Sequence, residues 1–162
     1  MSFSESRIAL ILPLVIAACG FQPVYAPGET GAALRGQVNV AAPADQDTFL
    51  LVQELETQLG RGSVGRYALS YDLRLREQGL GLTRDNVTTR FNLLGRADFV
   101  LTDLESDTVV FEGVAEGFTS YSDTGSTVDT LASRRDARAR LMVILADQIT
   151  ARLYAQADLT GA

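Results

Sequence analysis

Residues 66–76, RYALSYDLRLR, alternate apolar and polar side chains: Leu69, Tyr71, Leu73 and Leu75 fall on one side, and Ser70, Asp72, Arg74 and Arg76 on the other. A period of two is the signature of a strand with one face buried, and it is incompatible with an amphipathic helix. The same period returns from about Val87 to Thr102. There Phe91, Leu93, Ala97, Phe99 and Leu101 oppose Arg90, Asn92, Arg96, Asp98 and Thr102. It returns again from Thr108 to Tyr121, where Val109, Phe111 and Ala115 alternate with Val110, Glu112, Val114 and Glu116. The stretch EQGLGLTRDN and the residues Asp103 to Asp107 supply turns between them. Three strands joined in this way predict an antiparallel meander.

A sheet with one apolar face needs a cover, and two helical segments can provide it. Asp45 or Asp47 can cap a helix running to Leu59, with Leu51, Val52, Leu55 and Leu59 on one face and Gly60 as a stop. From about Asp129 to Ala155, Ala137, Leu141, Ile144, Leu145, Ile149 and Leu153 form a stripe at helical spacing, which reads as core. LRGQVNVA, 34–41, is a short strand, and GRGSVG, 60–65, a flexible loop without the order of a phosphate-binding motif. The predicted fold is an α+β two-layer sandwich: a four-stranded, mostly antiparallel (mixed) sheet with two helices on one face, in the order β-α-β-β-β-α. The mixed character follows from a crossover between the first two strands through the first helix.

The 162 residues suffice for one such domain. A formal net charge of −6 argues against nonspecific nucleic-acid binding, which needs a cationic surface. All 14 basic residues are arginines and histidine is absent, which removes the commonest general base and metal ligand. With one cysteine there is no internal disulfide and no cysteine–histidine zinc site. No GxSxG motif or other nucleophile constellation is present. No catalytic residue, metal or cofactor is therefore expected.

The lone cysteine, Cys19, sits where an apolar run ends. Residues 8–18, IALILPLVIAA, follow Arg7, contain Pro13, and fall short of the ~20 residues that span a bilayer. They read as the h-region of a secretory signal peptide, residues 1–18. Ile16-Ala17-Ala18-Cys19 resembles the bacterial lipobox, in which the cysteine thiol receives a diacylglyceryl group before cleavage and its amine is usually acylated after it. Each buried methylene adds about 0.8 kcal/mol, so two or three chains on Cys19 hold a protein on a membrane. Gly20 is compatible with transfer to the outer membrane. Residues 19–33, rich in glycine and proline, read as the lipidated end and an extended tether. The α+β domain then occupies 34–162.

Among polar residues the arginines are the most informative. Arg74, Arg76, Arg84, Arg90 and Arg96 belong to two neighbouring strands and their connection. Guanidinium groups bind phosphate or carboxylate in a fork geometry, yet cross-strand pairing with Asp72 and Asp98 on a solvated face is the leading account of them. Arg134, Arg135, Arg138 and Arg140, at the start of the last helix, oppose the helix dipole; they await either an anionic partner or pairing with Asp129 and Asp136.

Cys19-Gly20-Phe21-Gln22-Pro23-Val24-Tyr25 is similar to the mature N-terminus of the LptE family of lipopolysaccharide-assembly lipoproteins, particularly its alphaproteobacterial branch, and the element order resembles that family's sheet and two helices. The resemblance implies an outer-membrane, periplasm-exposed lipoprotein without enzymatic activity. It would plug the lumen of the β-barrel LptD, help that barrel assemble, and help deliver lipopolysaccharide. It also implies a lipopolysaccharide contact near the tip between the second and third strands, which makes Arg84, in Thr83-Arg84-Asp85-Asn86, the first candidate, with Arg90 and Arg76 beside it. The family's second basic residue, before the last helix, has no counterpart in the acidic stretch Ser122 to Thr130. Other envelope binding modules, such as a lipoprotein chaperone or secretion pilot, share the anchor and the missing active site. An envelope hydrolase would need a nucleophile that the sequence does not supply.

Overall fold

The computed structural model describes residues 30–62, 65–80, 89–123, 126–157 and 159. Its elements are α1 (Thr30–Leu34), β1 (Val38–Val40), α2 (Gln46–Leu59), β2 (Tyr67–Leu80), β3 (Arg90–Asp103), β4 (Thr108–Ser122) and α3 (Thr127–Gln156). The strands form one four-stranded sheet in the order β1-β2-β3-β4. β1 runs parallel to β2, Val38 opposite Tyr67, whereas β2–β3 and β3–β4 are antiparallel. The mixed sheet and the meander expected from the sequence are both present.

Each apolar row falls where the alternation places it. Tyr67, Leu69, Leu93, Ala97, Phe99, Leu101 and Ala115 are buried on the helix-covered face. α2 starts at Asp45, whose Oδ1 accepts the Thr48 N–H at 2.8 Å while Thr48 Oγ1 accepts the Asp45 N–H at 2.9 Å. This reciprocal cap selects Asp45 over Asp47 as the N-cap of the helix. Its buried face is Leu51, Val52, Leu55 and Leu59, as expected, with Thr48 added. The far end is closed by a neighbour: Gly36, at φ 71°, donates its N–H to Leu59 O at 2.7 Å.

Several boundaries differ from the sequence-based expectation. Thr30–Leu34 is helical where an extended tether was expected, the rest of that expected tether lies outside the described residues, and the first strand starts at Val38; Leu34 is fully buried and anchors α1 to the core. β2 continues to Leu80, because Glu77 to Leu80 pair with Leu93 to Arg90. A register shift at Leu101/Thr102 opposes Phe111 to Leu101 and Val109 to Thr102, and leaves Val110 over. This bulge turns Val109 out (60% exposed) and lets Val110 pack on the core, the reverse of simple alternation. α3 buries not only its predicted stripe but also Met142, Ala146 and Thr150, because it lies against α2 as well as β3 and β4; Ile144 is only partly buried.

Two features hold α3 to the sheet. Gly95 and Gly117 face each other across β3 and β4, directly under Leu141, Ile144 and Leu145. A Cβ at Gly117 would lie 2.9 Å from Ile144 Cγ2, so the missing side chains permit the close approach of the helix. At the outer edge of β4, Gln148 Nε2 donates to Glu116 O at 2.7 Å and its Oε1 accepts the Glu116 N–H at 3.3 Å; Arg140 donates to Ser120 O at 3.4 Å.

At the base of the sheet, Asp103 has no exposed surface. Its Oδ2 accepts from Arg66 Nη2 at 2.7 Å and Nε at 3.0 Å, and its Oδ1 accepts the Glu105 N–H at 2.8 Å. The hydrogen bonds from Arg66 hold the Asp103 carboxyl below its ordinary value of 3.8. A depressed folded-state value stabilises the fold above the unfolded value, and that contribution disappears as pH falls through the folded one. Asp103→Asn is therefore expected to lower the urea midpoint at pH 7 and to flatten the acid side of the stability profile below 3.8. Urea titrations at neutral and acid pH check both; parallel profiles in parent and variant would remove Asp103 from the acid response.

Candidate functional site

Among the described residues no cluster suited to a metal ion occurs, and no helix is long and apolar enough to cross a membrane. The chemistry that the chain displays lies on the outer face of the sheet, opposite the helices. There the register sets side chains in transverse rows: Asp72–Asp98–Val114, Arg74–Arg96–Glu116, Arg76–Leu94–Phe118, Gln78–Asn92–Ser120 and Leu80–Arg90–Ser122. Neighbouring strands lie ~4.8 Å apart, so residues within a row touch.

The first two rows form a closed ion ladder. Arg96 binds Asp98 at 2.7 Å and Glu116 at 2.5 Å. Arg74 binds Asp72 and lies 3.8 Å from Asp98. The Arg96 hydrogen bonds hold the Asp98 carboxyl below its usual range, and Asp98 and Glu116 push the Arg96 guanidinium up. Two cations thus face three carboxylates, which is the cross-strand pairing that the sequence offered as one account of these arginines. All five groups are solvent-exposed to some degree, so the ladder sets charge and register more than stability.

The next row differs. Among the described residues Arg76 has no ion pair, and it stands beside Leu94 (36% exposed) and Phe118 (63% exposed). Together with Arg74, Arg96 and Glu116 these side chains line a shallow depression of about 550 Å³. Arg90, four positions further along the hairpin, is likewise exposed and without an ion pair among the described residues. Arg84 and Cys19 lie outside the described residues. Of the three arginine candidates, Arg76 and Arg90 therefore share one face, two rows apart. Leu94 and Phe118 are absent from the sequence-based candidates. Only the pairing of Leu94 with Phe118 across β3 and β4 makes them neighbours, although both occupy outward positions of their strands.

The arginines opening α3 are mostly taken by partners from other elements. Arg134 binds Glu77 at 2.7 Å, Arg138 binds Asp47, and Arg140 binds Asp136 at 3.1 Å. Asp136 was foreseen as a partner; Asp129 forms no such pair among the described residues. Glu77 also accepts from the Tyr121 hydroxyl at 2.5 Å, and Tyr121 stacks on Phe91 with ring centres 5.3 Å apart. Burial, and then the bond to Glu77, push the Tyr121 hydroxyl up to about 12. This cluster binds the far end of β2 to β4 and α3.

A family model described as LptE, lipopolysaccharide-assembly, matches residues 36–153. No curated protein matches the chain. Among solved structures, a lipoprotein from Caulobacter crescentus CB15 is similar at TM-score 0.64 and 20% identity, covering 77% of this chain and 92% of that one. Lipoprotein B from Nitrosomonas europaea is similar at TM-score 0.57 and 14% identity, covering 84% and 91%. Rare lipoprotein B from Shewanella oneidensis gives TM-score 0.52 and 11% identity, covering 72% and 88%. At these identities the structural likeness speaks to the fold.

Proposed function

Because the chain belongs to the LptE family of lipopolysaccharide assembly, we propose that it is the lipid-anchored, non-enzymatic partner of the outer-membrane β-barrel LptD, filling the barrel lumen and assisting both its assembly and lipopolysaccharide delivery. The family match over residues 36–153 carries this reading. Physical fit supports it. Large barrels leave lumens that must be filled, and a compact two-layer body with a charged outer sheet face suits a wet interior. Acyl chains on Cys19 would hold that body at the periplasmic side of the outer membrane. Arg84, Arg90 and Arg76 are the candidate contacts for lipopolysaccharide phosphates.

Affinity purification of the full lipoprotein from solubilised outer membranes tests the reading. LptD is expected to copurify in near-equal amounts, and depletion of the chain should lower both mature barrel and surface lipopolysaccharide. Copurification of another envelope complex in its place would favour a chaperone or secretion pilot.

A further inference from the structure

We infer that the free edge of β2, from Leu73 to Gly79, is a strand-docking site: an extended segment of the barrel partner, with apolar residues on one side and carboxylates on the other, adds there as a further strand. The inference rests on the assembly role proposed above and goes beyond it by giving the contact an edge and a mode of pairing.

The backbone gives the first observation. β1 flanks β2 only from Tyr67 to Leu69, whereas β2 runs on to Leu80. Toward β1, Tyr67 donates its N–H to Gln37 O and Leu69 O accepts the Ala41 N–H; on the other side, Arg66 O accepts the Leu104 N–H, next to the end of β3. Backbone groups alternate sides along a strand, and the register with β3 continues unbroken from Tyr67 to Leu80. The N–H and C=O groups of Leu73, Leu75, Glu77 and Gly79 therefore point away from β3, and among the described residues they meet no partner. At about 3.3 Å per residue, this open ladder is about 20 Å long. The opposite rim is treated differently: Gln148 and Arg140 occupy backbone groups of Glu116 and Ser120, whereas β2 has neither proline nor bulge between Leu73 and Gly79.

Burial gives the second. Leu69, beside β1, is 1% exposed, but Leu73 and Leu75, on the same face of the same strand, are only partly buried. The core thins where the neighbouring strand ends, and one more strand would close it. Charge selects what that strand carries. Its side chains toward the helix layer lie beside Leu73 and Leu75 and are apolar. Those on the outer face lie beside Asp72, Arg74 and Arg76. Asp72 and Arg74 pair with each other, and Arg76 has no ion pair among the described residues. An incoming carboxylate completes that row, so Arg76 meets the partner's strand and not a phosphate. A lipid or a small anion brings no backbone ladder. Only an extended polypeptide satisfies the edge, the apolar margin and the cation together.

Amide hydrogen exchange, resolved by residue, tests the edge on the full lipoprotein in detergent, alone and copurified with the barrel. In the chain alone the amides of Leu73, Leu75 and Glu77 are expected to exchange at least tenfold faster than those of Asp72, Arg74 and Arg76, which face β3. In the complex they are expected to slow at least tenfold. Benzoylphenylalanine at position 76 or 78, placed in living cells, is expected to mark one segment of the barrel polypeptide, at sites about two residues apart, the step that strand pairing imposes. Leu75→Pro removes an outward N–H and is expected to lower the adduct yield at 78 at least fivefold, with Leu75→Ala retaining more than half of it. Should the proline variant fail to fold, the exchange comparison decides on the parent alone. Exchange that stays fast in the complex, exchange already slow in the chain alone (the mark of pairing between copies), or adducts on lipid in place of polypeptide would overturn the inference. If the barrel copurifies and the edge stays unprotected, the docking site alone fails; if the parent brings down no barrel, the assembly reading fails with it.

Discussion

Gly117→Val is expected to unfold at a lower urea concentration, by the equivalent of about 1–3 kcal/mol, the usual cost of forcing extra methyl groups into a packed core. The new Cβ would lie 2.9 Å from Ile144 Cγ2 and 3.5 Å from Leu141 Cδ1, and valine adds two more carbons beyond it. α3 can answer only by rising from the sheet. That movement would loosen Thr119 Oγ1, which donates to Ala137 O at 2.8 Å in a buried position. Gly95→Val presses on the same place from the next strand, at 3.0 Å from both Leu141 Cδ2 and Leu145 Cδ1. The two substitutions share Leu141, so their combined cost should differ from the sum of the single costs. Alanine at either position should cost less, because the nearest atoms are ends of side chains that can shift by a few tenths of an ångström. A midpoint for Gly117→Val equal to the parent's would mean that helix and sheet are not held at this spacing.

Cys19→Ala is expected to have the largest effect in the cell. It should abolish incorporation of labelled palmitate and leave the chain in the outer-membrane fraction only as far as its barrel partner holds it there. Among the described residues no helix is long and apolar enough to cross a membrane. One acyl chain gives marginal, reversible attachment, and two or three give lasting retention, at about 0.8 kcal/mol per buried methylene. Losing them all therefore changes residence on the membrane by many orders of magnitude, whereas folding of residues 30–159 should be untouched. Mass spectrometry of the mature N-terminus and membrane fractionation read the result. An unmodified N-terminus in the parent, or undiminished palmitate incorporation in the variant, would exclude lipidation at this residue.

What the sequence disclosed follows physical locality. Alternation in β2 and β3, the apolar face of α2 and the stripe of α3 depend on neighbours one to four residues away, and all were readable. Val109 and Val110 were misplaced because a bulge is decided by how β3 and β4 fit together, not by either strand alone. The end of β2 was missed because Glu77 breaks the apolar row. It keeps its place through Tyr121 and Arg134, contributed from β4 and α3. Met142, Ala146 and Thr150 looked like a second face of α3 until α2 came to lie on it. The same distinction holds at the candidate site. Arginines on an exposed face, and Asp98 as a partner, could be read directly. Which of these arginines stay without an ion pair among the described residues depends on the register that brings Glu116 to Arg96 and sets Leu94 against Phe118.

If the chain is held on a membrane as proposed, Gln148 has a consequence there. Its amide occupies both the donor and the acceptor of Glu116, so at that point β4 presents a neighbour with a closed seam instead of a template. Molecules tethered to one membrane meet often and in similar orientations, the condition under which strands zip together from one copy to the next. A single glutamine from the covering helix interrupts that zipper in the middle of β4.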